Sequence, residues 1–454
     1  MMRKWMLLVI TALAALPASA QRNFVIEAPR WTEAQTRAVA EAGGTLTFSH
    51  PETGIGIVQS FVPDFEQRVL RTRAFTSVTE DQVFEWQKPI QTVELEASAV
   101  NFQNESFINA QWNHLAVNAP GAWAAGYTGA GVRVAILDGG IHATHIDLRD
   151  RVELATSRSF VPGFNFNQDT GTFWHGTHVA GIVAASANGA GTVGLAPEST
   201  IIGVKVLHSG SGAFGWIISG ILYASTPLAE GGAGAHILNM SLGATFPRGG
   251  GNTGAGRLIS ALNKAVNYAN RNALVVSSAG NSALDLDHSG SVITVPAESG
   301  AGIAVSATGP MGYAVGWPNG ATNFSRIASY TNYGTSVIHV AAPGGDAELP
   351  GNAPCSIPVV PAGSITVPCW VFDMVLSTSR GSGASITSYS WAAGTSMAAP
   401  AASAVAALIK QRFPNISIGE LKNRLANSAD DLGKPGVDPF YGRGFINAYR
   451  AVTE

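Results

Sequence analysis

Cysteine is almost absent from this 454-residue chain, which carries only Cys355 and Cys369. Two sulfurs with no histidine pair beside them do not make a zinc site, so metal–thiolate chemistry is set aside. Charge is sparse too: Asp, Glu, Lys and Arg make up 13% of residues, and 27 basic residues nearly balance 30 acidic ones. No basic field is available to draw in nucleic acid or an anionic lipid surface. Long apolar runs are also missing, since no segment reaches the roughly 18 uninterrupted apolar residues of a membrane span. No internal repeat is evident.

What is present is a 46% hydrophobic composition, enough for one large core and a smaller domain. Arg3 and Lys4 precede an apolar run over 5–16, a helix-breaking Pro17, and Ala18-Ser19-Ala20. That is the layout of a secretory signal over 1–20, cut after Ala20. The mature protein is therefore expected to be secreted (extracellular or periplasmic), with no membrane association after signal removal. In an oxidising compartment Cys355 and Cys369 are expected to form a disulfide.

Residues 21 to about 88 are richer in Arg and Glu and poorer in Gly than the C-terminal remainder of the chain, and read as a separate unit. Strand-like 24–27, helical 32–42 stopped by Gly43-Gly44, strand-like 56–59, helical 63–71 and strand-like 83–86 give a β-α-β-α-β order, a small α+β domain. The stretch from 87 to about 109, with Pro89 and no clear period, reads as an exposed linker. Beyond it, apolar runs at 132–137, 200–206, 236–240, 273–277 and 303–307 suit buried parallel strands. Helical candidates lie among them at 175–185, 215–228 and 257–270. The fold class is thus α/β, a mostly parallel sheet flanked by helices, preceded by the small α+β domain. Ligands are expected beyond the carboxyl ends of the strands.

Three positions suggest chemistry. Ser396 lies in Gly394-Thr395-Ser396-Met397-Ala398-Ala399-Pro400, at the head of an Ala-rich helical run to Arg412. A serine there is commonly a cap, yet the same unpaired helix N–H groups can hold an oxyanion. Asp138 follows the 132–137 strand and stands at the sheet's functional edge. His175 opens Trp174-His175-Gly176-Thr177-His178-Val179-Ala180-Gly181. A serine hydroxyl needs a base, and an imidazole serves best when a carboxylate fixes its tautomer. Asn281, after Ser277-Ser278-Ala279-Gly280, offers an amide donor for the oxyanion; the plainer reading is a turn residue.

This ordered set of Asp138, His175, Asn281 and Ser396, in these local contexts, resembles the subtilisin-like serine peptidase family across roughly residues 111–452. The resemblance implies that Asp138 orients His175, that His175 acts as base and then acid, that Ser396 attacks the scissile carbonyl, and that Asn281 stabilises the oxyanion. It also implies that Ser209, Gly210, Ser211 and Gly212 pair with an extended substrate, and that Ser241, Leu242, Gly243 and Gly280 border the binding site. Thr294 is placed near the floor of the side-chain pocket. Such peptide pairing by β-augmentation implies broad specificity. Residues 21–106 are expected to be a propeptide that assists folding, inhibits, and is removed autocatalytically, leaving a monomeric peptidase domain over 107–454 with an insertion at 345–378. Calcium is implied as a structural ion near Asp147 and Asn188, with no cofactor needed for the chemistry. The chain departs from the family's pattern at Gly139, where Ser or Thr is usual, and at Ala401 and Ala404.

Two other function classes were open. A catalytically silent peptide-binding protein would use the same cleft. A dinucleotide-binding enzyme is suggested by Gly129-Ala130-Gly131, but these glycines precede the strand instead of following it.

Overall fold

The computed structural model describes residues 20–86, 89–95, 105–248 and 254–454. The expected signal peptide through residue 19, and 87–88 and 96–104 of the expected linker, lie outside the described residues.

The N-terminal unit runs β1 (Arg22–Glu27), α1 (Glu33–Glu41), β2 (Gly44–His50), β3 (Ile55–Ser60), α2 (Phe65–Arg71) and β4 (Ser77–Glu80). Its strands form one sheet in the order β2-β3-β1-β4, antiparallel throughout. α1 starts at a reciprocal cap between Thr32 and Gln35, which satisfies two orphan helix-end donors. Phe24, Ile26, Trp31, Val39, Val58 and Phe65 bury a small core between the sheet and the helices.

Two sequence expectations fail here. The unit has an additional hairpin strand, β2, and closes on β4 instead of on 83–86. Residues Val83–Glu85, β5, leave the unit and pair antiparallel with β10 (Ser211–Ala213). Part of the expected linker is likewise a strand: β6 (Gln91–Leu95) joins a three-stranded sheet.

After the short helices α3 (Trp112–Ala116) and α4 (Ala119–Ala124), the body is built on a seven-stranded sheet. Its strands are β7 (Arg133–Asp138), β8 (Arg158–Ser159), β9 (Thr200–Lys205), β11 (Ile237–Met240), β13 (Leu274–Ser278), β15 (Ile303–Thr308) and β16 (Ile338–Pro343). They lie in the order β16-β15-β13-β11-β7-β9-β8, with every pair parallel. Helices cover both faces, which is why these strands read as continuous apolar runs. Val134 and Ile136 face the core beneath α5 (His175–Ala184) and α8 (Thr395–Arg412); Ala135 and Leu137 face α6 (Phe214–Ser225) and α7 (Gly254–Ala269). The one-residue alternation along β7 thus divides two cores.

Smaller elements complete the body. β12 (Ala244–Pro247) pairs with β14 (Val292–Val295), and β19 (Val375–Ser379) pairs with β20 (Ser388–Ala393), whose other edge carries β6. Helices α9 (Ile418–Asn427) and α10 (Ala448–Thr453) close the C-terminal side. Within the insertion, β17 (Pro354–Pro358) and β18 (Ser364–Pro368) make a hairpin tied by the Cys355–Cys369 disulfide. Its Ile357 and Ile365 are buried, and it braces the chain's entry to the body: the Val360 N–H donates to the Ser106 carbonyl at 3.1 Å, and Asn109 Nδ2 to the Pro358 carbonyl at 3.0 Å. Among the described residues no helix is long and apolar enough to cross a membrane.

Candidate active site

The site lies at the carboxyl ends of the central strands, where side chains leave the sheet unpaired by its ladder. Asp138, the last residue of β7, is buried; its Oδ1 accepts from the Gly139 N–H at 2.6 Å. Its Oδ2 lies 2.7 Å from His175 Nδ1, at the first residue of α5. That contact leaves His175 Nε2 buried and without a partner. A carboxylate on Nδ1 favours the tautomer in which Nε2 is a free base.

α5 is seated by close approach. A Cβ on Gly181 would lie 2.3 Å from the hydroxyls of both Ser377 and Thr378, so only glycine lets β19 lie against this helix. Those hydroxyls donate to the His178 and Thr177 carbonyls, each at 2.8 Å. His178 is wholly buried, with Nε2 2.9 Å from the Ser390 carbonyl; burial pushes its pKa down to about 3, so it stays neutral and structural. Trp174, just before His175, sits in the left-handed region at φ 40°, a strained conformation for a large side chain at the entrance to α5.

Ser396 is buried in the first turn of α8, where backbone N–H groups have no intrahelical acceptor. Pro400 lacks the N–H that would bond the Ser396 carbonyl four residues earlier. The Ser241 hydroxyl takes that place, donating to the Ser396 carbonyl at 2.8 Å. The Ser396 hydroxyl in turn donates to the Ser241 carbonyl at 3.2 Å, so in this state its proton is directed to Ser241 and not to His175. Asn281 is fixed through its amide oxygen, which accepts from the Thr395 N–H at 2.9 Å and the Thr395 hydroxyl at 2.7 Å. Its Nδ2 faces Gly394, within 3.3 Å of where a Cβ would stand there. Gly280 N–H donates to the same Thr395 hydroxyl at 3.1 Å.

Lys205 and Thr395 were missed by sequence reasoning. Lys205 is 1% exposed and donates to the Leu207 carbonyl at 2.7 Å and to the Gly139 carbonyl beside Asp138. Burial pulls its pKa down to about 8, against the Asp169 and Asp138 carboxylates, which raise it. A lone lysine inside an otherwise apolar strand was the available signal. Gly139 has its own explanation: a Cβ there would lie 2.1 Å from Asp169 Oδ2, so the loop bearing Asp169 could not close over a larger residue.

The expected substrate edge is occupied by the chain's own N-terminal region. Ser211 and Gly212 pair with Glu85 and Phe84, and the Trp86 N–H donates to the Gly210 carbonyl at 3.0 Å. Ser209 N–H is held by Asp169 at 3.0 Å. Phe84 and Trp86 enter an aromatic box with Phe214 and Phe246, at ring separations from 4.9 to 6.3 Å. Further along the same segment, the Ile90 N–H donates to the Ala393 carbonyl at 2.7 Å, three residues before Ser396. Leu242 and Gly243 follow Ser241 beside β12, and a Cβ on Gly243 would be 3.4 Å from the Val295 carbonyl. Thr294, fully buried on β14, bonds the Thr245 hydroxyl at 3.0 Å.

The expected calcium ligands sit together away from this cleft. Asp147 Oδ2 accepts from the Thr192 N–H at 3.0 Å and the Thr192 hydroxyl at 3.1 Å, and Asn188 Nδ2 lies 3.4 Å from its Oδ1. Burial pushes the Asp147 carboxyl up to about 7. Glu105 bonds the Gly189 N–H at 2.7 Å with one oxygen, while its buried Oε2 has no partner. A carboxylate too deeply buried to ionise freely and a partnerless carboxylate oxygen, both at the 186–192 loop, fit a hard cation.

The model of the subtilase family matches residues 129–444. Among curated proteins, the chain is 36% identical over 343 residues to M-protease of Shouchella clausii, covering 75% of this chain and 69% of that one. It is also 36% identical over 343 residues to Subtilisin Savinase of Lederbergia lenta, covering 98% of that protein. Among solved structures, the epidermin leader peptide processing serine protease of Staphylococcus aureus superposes with a TM-score of 0.73 at 20% identity, covering 96% of this chain and 98% of that one; at this identity the likeness speaks for the fold alone.

Proposed function

The chain belongs to the subtilase family, which makes it a serine endopeptidase, and we propose that Ser396 is its nucleophile, in an enzyme that is exported and processes itself. The observation that carries this reading is the 2.7 Å Asp138–His175 contact, which leaves a buried, partnerless Nε2 in a site whose serine heads a helix. Rotation of the Ser396 hydroxyl from the Ser241 carbonyl to Nε2 lets His175 take its proton as Oγ attacks a peptide carbonyl. Contacts of this kind often form only once substrate is bound. The developing oxyanion is met by the Ser396 N–H and Asn281 Nδ2, whose amide oxygen Thr395 holds in place. His175 then returns the proton to the leaving amine, and water resolves the acyl-enzyme by the reverse sequence. Lys205 and Asp138 act at one remove, fixing the loop and the imidazole.

Within the 21–106 stretch, the residues up to the cut act as the propeptide in this reading. β5 pairs with β10 as an extended substrate would, and the flanks at Trp86 and Ile90 bracket Ser396, which supports self-cleavage between them. The box filled by Phe84 and Trp86 supports a preference for aromatic residues upstream of the cut, within otherwise broad, backbone-directed recognition. Asp147, Asn188 and Glu105 would hold calcium, whose charge there would neutralise buried carboxylates and fix the 186–192 loop; the ion takes no part in the chemistry.

The test is to incubate the purified full chain with a mixed peptide library and sequence all products, including any new N-terminus of the protein. Cleavage after extended sequences with upstream aromatics, and a new N-terminus between residues 86 and 90, are expected. An intact library and an intact chain would favour the silent peptide-binding reading.

A further inference from the structure

The parallel register of β7 and β9 sets Lys205 opposite Asp138. β9 is apolar from Ile201 to Val204, yet it ends in a lysine that is only 1% exposed. A buried ammonium is unfavourable unless its donors are met and opposite charge is near, so a methionine would fill the same space at less cost. Packing alone does not call for a charge here.

The ammonium joins two segments. It donates to the Gly139 carbonyl, one residue past Asp138, and to the Leu207 carbonyl at 2.7 Å, on the turn that leads to β10. Backbone bonds run between the same segments: the Asp138 carbonyl accepts from the Val206 N–H at 2.9 Å and the Leu207 N–H at 3.2 Å. Asp169 closes the circuit, its Oδ1 accepting the Ser209 N–H at 3.0 Å and its Oδ2 lying against Gly139. The Phe164 ring is 5.8 Å from the ammonium and stacks on the His208 ring at 3.8 Å. The loop that orients His175 and the edge where a substrate strand would pair thus meet at one side chain.

The charged and titratable groups around Lys205 are Asp138 on β7, Asp169 on the loop before α5, and His208 on the turn after β9, with His175 on α5 behind Asp138. Burial pulls the lysine pKa down to about 8, and both carboxylates oppose this. A neutral amine would keep N–H groups for the two carbonyls. It would lose their charge-assisted strength and leave the Asp138 and Asp169 carboxylates unbalanced.

We infer that Lys205 is a positioning residue that couples the two halves of the site: its ammonium holds the Asp138 loop and the β10 edge at one spacing, and hydrolysis is fast only while it is charged. This rests on the endopeptidase reading and adds to it an upper pH limit set by a residue that touches no substrate.

The test compares the full chain with Lys205→Met and Asp169→Asn, each processed by tagged active enzyme that is then removed, on one quenched peptide over a range of pH. Lys205→Met is expected to lower kcat roughly a hundredfold at neutral pH with a smaller change in KM, while Tm shifts by no more than a few degrees. In the unaltered chain kcat should fall as pH rises through about 8, and Lys205→Met should lack this step. Asp169→Asn removes a carboxylate that raises the lysine pKa, so its step should move to lower pH. Because burial lowers this pKa, the folded state binds the proton less well than the unfolded one, and Lys205 adds stability as pH rises past about 8. A fall in kcat matched by a fall in Tm would therefore be unfolding and would overturn the inference. So would full kcat in Lys205→Met, or an alkaline step that Asp169→Asn leaves in place. If Lys205→Met does not fold, the Asp169→Asn shift decides alone. Labelling of Ser396 by an organophosphorus probe is measured in parallel: with labelling, these contrary results remove this inference alone, whereas no labelling and no cleavage in the unaltered chain removes the endopeptidase reading with it.

Discussion

The N-terminal unit and the peptidase body each combine helices with a sheet, but they hold their neighbours by different means. The unit has a core of its own and meets the body through a seam of apolar side chains, Val25, Ile55 and Ile57 against the α6 side and Phe48 against Phe160. Around these lie groups sensitive to pH or salt: Lys264–Glu27 at 3.4 Å, Arg271–Glu52 at 3.0 Å, the His50 ring 4.4 Å from Tyr268, and Asp81 accepting the Gly215 N–H at 2.9 Å near the start of α6. The body holds its site with buried neutral hydrogen bonds, such as Ser241 to Ser396, Thr395 to Asn281, and His178 to Ser390. Exposed ion pairs contribute little and are screened by salt, whereas buried networks are costly to break. Under the proposed reading, one attachment suits a unit that leaves, and the other suits a site that must not shift.

The largest effect should come from the body. Ser396→Ala is expected to lower kcat by on the order of 10⁵-fold or more and to leave the N-terminal unit uncut, read by peptide hydrolysis and by the mass of the purified chain. Unchanged processing in this variant would place the cut outside the enzyme's own chemistry and dissolve the contrast between the two regions.

Asn281→Ala comes next. Losing one oxyanion donor lowers kcat by about 10²–10³-fold while KM changes little. A change confined to KM would make Asn281 a substrate contact instead.

The attachment of the N-terminal unit should respond to pH through Asp81. Burial in the docked state raises the Asp81 carboxyl from its ordinary value to about 6, against hydrogen bonds from the Gly215, Gln82 and Phe214 backbone that lower it. A group whose pKa is raised by docking favours the docked state most below its free pKa near 4, and that contribution is lost as pH rises through about 6. Release of the cleaved unit should therefore accelerate between pH 4 and 6, and Asp81→Asn should flatten the dependence. Equal slopes in both proteins would assign the response to another group.

The smallest effect is expected in stability. Asp147, raised to about 7 by burial, favours the folded state most below pH 4, and this contribution fades as pH rises through 7. In chelator, Tm should fall by a few degrees over that range, calcium should restore it, and Asp147→Asn should remove the pH slope. A calcium response unchanged in Asp147→Asn would place the ion elsewhere.

Much of the body was legible because its signals are local. The apolar runs of β7, β9, β11, β13 and β15, and the Ala-rich run of α8, state their burial in their own residues. Asp138, His175, Asn281 and Ser396 were found through the motifs around them. Pairings whose partner lies far along the chain were not readable. β5 was read as a strand but assigned to the N-terminal unit, and β6 was read as linker, because their partners, β10 and β20, come from the body. β2 was passed over although Thr45-Leu46-Thr47-Phe48-Ser49 alternates polar and apolar, because Gly43-Gly44 reads first as a helix stop. Lys205 stood in plain sight as a charge in an apolar strand, but its partners are carbonyls, which sequence does not reveal.

The central claim, that the Asp138–His175 pair activates Ser396, is tested most directly by treating the self-processed chain with an organophosphorus probe and mapping the adduct by peptide mass. A single adduct on the peptide containing Ser396 is the expected result, with none in a His175→Ala chain that active enzyme has processed in trans. An unlabelled Ser396, or labelling of equal extent without His175, would contradict it.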